Sequence, residues 1–417
     1  MCLCNALVNR LAFGGLLNIQ SPRHSVTHKA FAFPLVFRNM KTKSSSHKSE
    51  NTYRFLTFSE RLSNVNIDII HRIDRTGSYA EEVETYFHEG LEKWRELNLT
   101  QHFVTFYREV INKCQSFNQL VYYQNYIVQS LKTHLQLKNS LAFQPLLDLV
   151  VQLARDLQAD FYPHFQDFFL SITKLLDTQD TELLEWAFTS LSYLYKYLWR
   201  LMVKDMSNIY GLYSTLLAHH KQHIRNFAAE SFTFLMRKVS DQNALLNLMF
   251  LDLGEHPQKV EGVGQLLFAM CKGVRNMFHS CAEKAITLIL KKMGPVTETE
   301  VALPWISVEE AFKSMVKSAA GFVSREHFDV LFRCLQESVV TLQEKITKDN
   351  CCDASEQIER ILQVYFTLID YAHGSKIPQP EEVCKTFIQL ASIPDLSVPC
   401  RNTLLPECIS APCSIHC

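Results

Sequence analysis

From about residue 79 onward, apolar side chains return every three or four positions and seldom alternate one by one. That period lines one face of an α-helix, whereas a half-buried strand would repeat every second residue. Tyr79, Val83, Phe87, Leu91 and Trp94 set the first such stretch, behind a capping box of Ser78 and Glu81, so the spacing predicts a helix over 79–97. Similar patterns predict helices over 101–114, 117–136, 143–158, 163–177, 182–204, 208–220, 223–239, 243–252, 258–275 and 279–292. Pro145 and Pro163 fall near predicted starts, and Asp177 to Asp180 forms a polar turn. After Gly294 and Pro295 a polar loop intervenes, and helical spacing resumes over 307–320, 325–346, 355–372 and 380–391. The predicted organisation is a disordered or non-native leader at 1–52 and helical repeats at 53–294. A loop at 295–306, further repeats at 307–392 and an irregular tail at 393–417 follow.

The helices also resemble one another. LLEWAFTSLSYL from Leu183 aligns with IRNFAAESFTFL from Ile224 at an offset of 41, placing Ala187 on Ala228, Trp186 on Phe227 and Leu191 on Phe232. VEGVGQLLFAMC from Val260 follows at an offset of 36 with Gly264 at the small position, and LLDLVVQLARDL from Leu146 precedes by 37 with Val150 there. A small residue at that point lets two helices approach closely, and the larger ones beyond it fill the groove. Periods of this length with two helices each predict an all-α fold, a HEAT/armadillo-like helical-repeat solenoid. HIRNFAAESFTFL in particular resembles the second helix of a HEAT unit. Chance similarity among leucine-rich helices is the competing explanation. Repetition also accounts for TELLEWAFTSLSYLYKYLWRLMVKDM, residues 181–206, which is apolar on nearly every side. A helix covered by its partner and by two neighbouring repeats can bury more than half its circumference.

Composition narrows the functional classes. With a net charge of -1, bulk electrostatics give no global affinity for nucleic acid or membrane, so any polyanion contact must be local. Only 12 glycines are present, too few for a doubly wound sheet with phosphate-cradling turns. Cys114, Cys271, Cys281 and Cys334 are scattered singly through apolar segments, as small buried hydrophobes in a reducing compartment are. No apolar run reaches membrane-spanning length. Residues 1–49 lack Asp and Glu, a composition resembling a mitochondrial presequence, against which stand the blander readings of an alternative leader ahead of Met40 or simple disorder.

No nucleotide-loop, nucleophile-elbow, zincin or paired zinc-knuckle motif is present, and no cofactor or small-molecule substrate is implied. His219 and His223 are four apart but in an expected turn with no third ligand, Cys351 and Cys352 are adjacent, and Cys400, Cys408, Cys413 and Cys417 fall in the irregular tail. Expected catalytic, cofactor and metal residues are therefore none, and the chain reads as a non-enzyme. The candidate contact residues are cations. Lys196, Arg200 and Lys204 recur every four positions on one helix, and Lys221 and Arg225 lie in a basic turn with His219, His220 and His223. An ordinary solvated face competes with a contact to phosphate or to an acidic partner.

Several long segments carry a family resemblance. They include ENTYRFLTFSERLSNVNIDIIHRIDRTGSY, LAFQPLLDLVVQLARDLQADFYPHF, DTELLEWAFTSLSYLYKYLWRLMVKDM, HIRNFAAESFTFLMRKVSD and KVEGVGQLLFAMCKGVRNMFHS. Together they resemble the amino-terminal region of the down-regulated-in-metastasis family, component twenty of the small-subunit processome. The resemblance spans about residues 40–395 and thins past Pro295; residues 1–39 and roughly the last twenty depart from it. It implies a very large nucleolar HEAT-repeat scaffold, without catalytic residues, needed for early pre-rRNA cleavages that yield small-subunit rRNA. The implied partners are other processome proteins, pre-rRNA and the U-three small nucleolar RNA particle, with no membrane. Family members are several times longer, so the chain looks like a fragment or short isoform. A HEAT-type transport receptor and a mitochondrial helical-repeat protein are the alternatives, the former disfavoured by the basic stripe.

Overall fold

The computed structural model describes residues 53–62, 85–273, 278–293, 303–320, 325–344 and 351–371, with 385 and 388 beyond them. Within these the chain is helix upon helix. They are α1 (Phe58–Leu62), α2 (Tyr86–Leu97), α3 (Gln101–Val110), α4 (Phe117–Tyr122), α5 (Gln124–Leu135), α6 (Phe143–Leu157), α7 (Phe165–Lys174) and α8 (Thr181–Met202). Then come α9 (Met206–Leu217), α10 (Gln222–Met236), α11 (Gln242–Glu255), α12 (Val260–Cys271), α13 (Ala282–Lys292), α14 (Trp305–Ala320), α15 (Arg325–Gln343) and α16 (Cys351–Tyr371). The sole β-type pairing among the described residues is an isolated bridge from Lys272 to Phe278.

The helix starts follow from local chemistry. Thr85, Thr100, Ser116, Asp180 and Asp241 each accept a hydrogen bond from a first-turn backbone N–H, satisfying donors that the helix itself cannot. Thr85 is extended, and the Asp156 carboxylate takes the N–H groups of Tyr86 and Phe87 at 3.1 and 2.8 Å, so α2 begins at 86 and not at 79. The Ser78 and Glu81 capping box, the leader 1–52, most of the loop after Gly294, the helix expected over 380–391 apart from residues 385 and 388, and the tail cysteines lie outside the described residues. Other boundaries shift for visible reasons. The stretch 117–136 breaks at Tyr123, whose backbone leaves the helical region and whose N–H bonds back to Gln119. At Gln158 a positive φ of 51° turns the chain into a 3-10 segment reaching His164, so α7 starts after Pro163 instead of at it. The α12 helix ends at Cys271 because Lys272 is extended. Its last carbonyls are taken by Arg237, which follows α10 and donates to Ala269, Met270 and Lys272.

Alternate helices stack. One layer runs α2, α6, α8, α10, α12, α14, α16, each packed on the next; in the other, α3, α5, α7, α9 and α11 follow in sequence, and α13 packs on α15. This is the all-α helical solenoid the periodicity predicts. Its interior lies between the layers, where Phe165, Phe169, Tyr195, Tyr213 and Phe232 are at most 2 % exposed and their rings form a continuous chain with centroids 5.0–6.3 Å apart. The small positions act as the alignment requires. Ala187 and Ala228 are fully buried, and at Gly264 a β-carbon would come within 2.3 Å of Ser314 Oγ and 3.0 Å of the Ala311 carbonyl, so α14 approaches α12 there at backbone range. In α8 the rings of Phe188 and Tyr195 are buried, but Trp186, Tyr193, Tyr197 and Trp199 are half-buried. Its covering is therefore less complete than the apolar pattern implies.

Two polar features are built into the packing. Asp148, on α6, is 5 % exposed and accepts from Trp94 Nε1 at 2.7 Å and Gln152 Nε2 at 3.2 Å. Burial raises its carboxyl to about 6, against which the bonds from Trp94 and Gln152 act. Between about pH 4 and 6 the folded state thus holds a proton on Asp148 that the unfolded chain has released, and the group's stabilising contribution is full below about pH 4 and lost as pH rises through 6. Raising the carboxyl from its ordinary range to about 6 corresponds to about 3 kcal/mol. Wild-type stability relative to Asp148→Asn is expected to fall by that order between pH 4 and 7, in denaturant melts; parallel pH profiles would contradict it.

The second feature is residues 53–62, which lie across α8 and α10 although they precede both by more than a hundred residues. Arg61 is 3 % exposed, forms an ion pair with Glu185 at 2.5 Å and donates to Thr189 Oγ1 at 2.7 Å. Phe58 N–H donates to Glu230 at 3.0 Å, and the Phe58 ring sits against Tyr195, Phe227 and Phe234. Phe55 stacks on His223 at 4.6 Å and meets Phe188 edge-on at 5.7 Å.

Candidate functional site

The carboxyl-terminal half of α8 carries Lys196 and Arg200, and Lys204 follows in the 3-10 turn Val203–Asp205; all three are exposed. Four-residue spacing on a helix of 3.6 residues per turn keeps them on one side. The half-buried ring of Trp199 lies beside them, with the Arg200 guanidinium 5.5 Å from its centroid. A fourth cation joins from the next repeat. Lys238 is exposed, and its ammonium stands 4.7 Å from the ring centroids of both Trp199 and Phe234. Partial burial, and then the charge of Lys196, lower its pKa. No ion pair to Lys196, Arg200, Lys204 or Lys238 is formed among the described residues. The ridge is thus a set of mutually repelling cations beside the Trp199 and Phe234 rings, and a polyanion or an acidic surface relieves that repulsion.

Lys221 and Arg225 are placed elsewhere and occupied differently. They stand at the amino-terminal end of α10, about 25 Å along the helix direction from the ridge at 1.5 Å per residue. Lys221 is half-buried and donates to the carbonyls of Leu176 and Thr178 at 3.2 and 2.5 Å, closing the turn after α7. Arg225 donates to the carbonyls of His219 and His220 at 2.8 and 3.1 Å and approaches Glu261 at 3.4 Å. Both side chains hold the turn between α9 and α10 in shape. Of the histidines there, His219 is 3.3 Å from Asp177, and His223 stacks on Phe55. Burial lowers the pKa of both. Cys114, Cys271 and Cys334 are buried free thiols and Cys281 is a half-buried one. No helix among the described residues is long and apolar enough to cross a membrane.

Sequence reasoning missed Lys238. The signal was available in the 41-residue offset, which, carried past the helix ends, sets Lys238 beside Tyr197 and hence near the ridge.

No family model matches the chain. Two curated relatives do, and both bear the name U3 small nucleolar RNA-associated protein 20. The protein from Schizosaccharomyces pombe is 34% identical over 256 residues, 60% of this chain and 10% of its own length. The one from Saccharomyces cerevisiae is 26% identical over 341 residues, 79% of this chain and 13% of its own length. The chain spans about a tenth of the relatives it matches. Among solved structures, an engineered protein aligns over 86% of this chain and 83% of its own with 12% identity and a TM-score of 0.27, too low to carry an argument.

Proposed function

We propose that this chain, which is related to the U3 small nucleolar RNA-associated protein 20 family, is a non-catalytic helical-repeat scaffold of the small-subunit processome. It works in the nucleolus, in the processing of pre-rRNA toward small-subunit rRNA. The observation that carries this reading is the kinship itself, which extends through the helical array to two proteins named for their association with a small nucleolar RNA. Its partners are other processome proteins and, through the α8 ridge, the phosphates of pre-rRNA or of the U-three particle. The ridge supports an RNA contact because four cations without an ion-pair partner among the described residues, beside a half-buried Trp199 ring, suit a flexible, charged strand better than a neutral protein surface. Binding of this kind is spread over modest contacts and is sensitive to salt.

Reversing all four charges, as K196E, R200E, K204E and K238E together, is expected to remove most co-sedimentation with pre-ribosomal particles while leaving the chain folded and its helicity unchanged, at a cost of about 1 kcal/mol for the lost contacts of Arg200 and Lys238 with the Trp199 and Phe234 rings. If the contact is to single-stranded RNA, the log–log salt slope should become about 3 units shallower. Undiminished co-sedimentation removes the ridge from the proposal. Nucleolar fluorescence of the tagged chain with and without residues 1–39 checks the compartment, and leader-dependent mitochondrial signal refutes it.

A further inference from the structure

The segment 53–62 meets α8 and α10 as a ligand meets a receptor. Phe55, Phe58 and Arg61 follow at intervals of three, Phe55 just ahead of the short helix and the other two on it, and supply the two rings and the guanidinium that enter the groove. The receiving side is ready-made: stacked Phe188 and Phe227 rings, with centroids 4.3 Å apart, line the floor, and a carboxylate stands on each helix. Glu185 answers Arg61, the Tyr53 hydroxyl and the Leu56 N–H. Glu230 answers the Phe58 N–H, the first free donor of the short helix. With the segment in place burial raises the pKa of Glu230, ahead of the opposing effect of that N–H bond, and the Phe188 and Phe227 rings are covered by Phe55 and Phe58. The two helices also pack on each other directly, so the groove does not need its occupant in order to exist.

From this geometry we propose that the α8/α10 groove is a receptor for a short linear motif, aromatic-x-x-aromatic-x-x-Arg opening a helical turn. The chain's own residues 53–62 fill it as an exchangeable ligand. This is independent of the processome reading. The motif and its groove belong to one chain, and a covalently tethered ligand competes at an effective concentration of about a millimolar. A motif with two aromatic anchors and one buried ion pair binding in trans at about ten micromolar is then outcompeted about a hundredfold by the tethered copy. A partner carrying the same motif gains access only when the tethered segment is displaced.

The test is a fluorescein-labelled peptide of residues 50–64, titrated into the full chain and into the full chain carrying F55A, F58A and R61A. The peptide is expected to bind the triple variant and to bind the wild type about a hundredfold more weakly. Equal binding to both, or none to the variant, overturns the proposal. A charge swap fixes the register: Glu185→Lys in the triple variant abolishes binding, and a peptide carrying Arg61→Glu restores it. Should the triple variant not fold, a protease site placed between Leu62 and Thr85 and cut in the folded wild-type chain reads the same property. Exchange of the cleaved segment for labelled peptide supports the proposal. Its retention against excess peptide, or loss of helicity on cutting, shows the segment to be an integral part of the fold. A concentration-dependent wild-type dimer that disappears when F55A, F58A and R61A are introduced overturns occupancy within one chain.

Discussion

Phe232→Ala is expected to cost about 3–5 kcal/mol in denaturant melts, the range for deleting a fully buried aromatic side chain. Phe232 is completely buried, and its ring lies 5.0 Å from Tyr213 and 5.8 Å from Tyr210, so it carries the contact between α10 in one layer and α9 in the other. Tyr213 passes that contact on to Tyr195 and Phe169. Removing the ring therefore leaves a void against Tyr210 and Tyr213, at the end of that aromatic chain. Because the array is a row of neighbouring units, the loss should appear first in amide exchange of α9 and α10 and only then in the global transition. A cost below about 1 kcal/mol would mean that the two layers are not packed as described.

The second large effect comes from adding one methyl group. At Gly262 a β-carbon would lie 2.1 Å from the Leu217 carbonyl oxygen and 2.8 Å from the Leu217 Cα, both backbone atoms at the end of α9. No side-chain rotation relieves that clash; α12 must move off α9. Gly262→Ala is expected to lose about 2–3 kcal/mol, although alanine in a helix interior is worth about 1 kcal/mol over glycine. Gly211→Ala supplies the control. Nothing stands within 4 Å of its β-carbon position, so the same replacement in α9 should stabilise by about 0.5–1 kcal/mol. Thermal melts of the two variants moving in the same direction would contradict the close packing of α9 and α12.

What the sequence disclosed, and what it withheld, divides along the range of the interaction. Helix existence rests on contacts three and four residues apart, so periodicity found α3, α6, α8, α10 and α14 nearly to their ends. The alignment of Ala187, Ala228 and Gly264 also located buried small positions, and at Gly264 a close approach between successive helices of one layer, because a small residue flanked by large ones is itself a local pattern; the approach between layers at Gly262 was not in it. Boundaries were less legible where a distant group decides them. The start of α2 is set by Asp156, and the end of α12 is secured by Arg237, neither of which is near in sequence. Half the candidate site behaved likewise. Exposure of Lys196, Arg200 and Lys204 followed from their spacing, whereas the arrival of Lys238 and the engagement of Lys221 and Arg225 with carbonyls depended on which helices lie side by side. Least legible was the position of Phe55, Phe58 and Arg61, since nothing in a ten-residue stretch records which later helices will receive it.

That position has a consequence in time. Phe58 N–H and its acceptor on Glu230 are 172 residues apart, and a chain elongating at about 5–20 residues per second needs roughly ten to thirty seconds to span that gap. For that interval the segment waits with two phenylalanines unhoused while the helices behind it are still being made. The earliest-synthesised of the described residues are therefore among the last to settle, and a chaperone that shields them during translation would act on this stretch before any other.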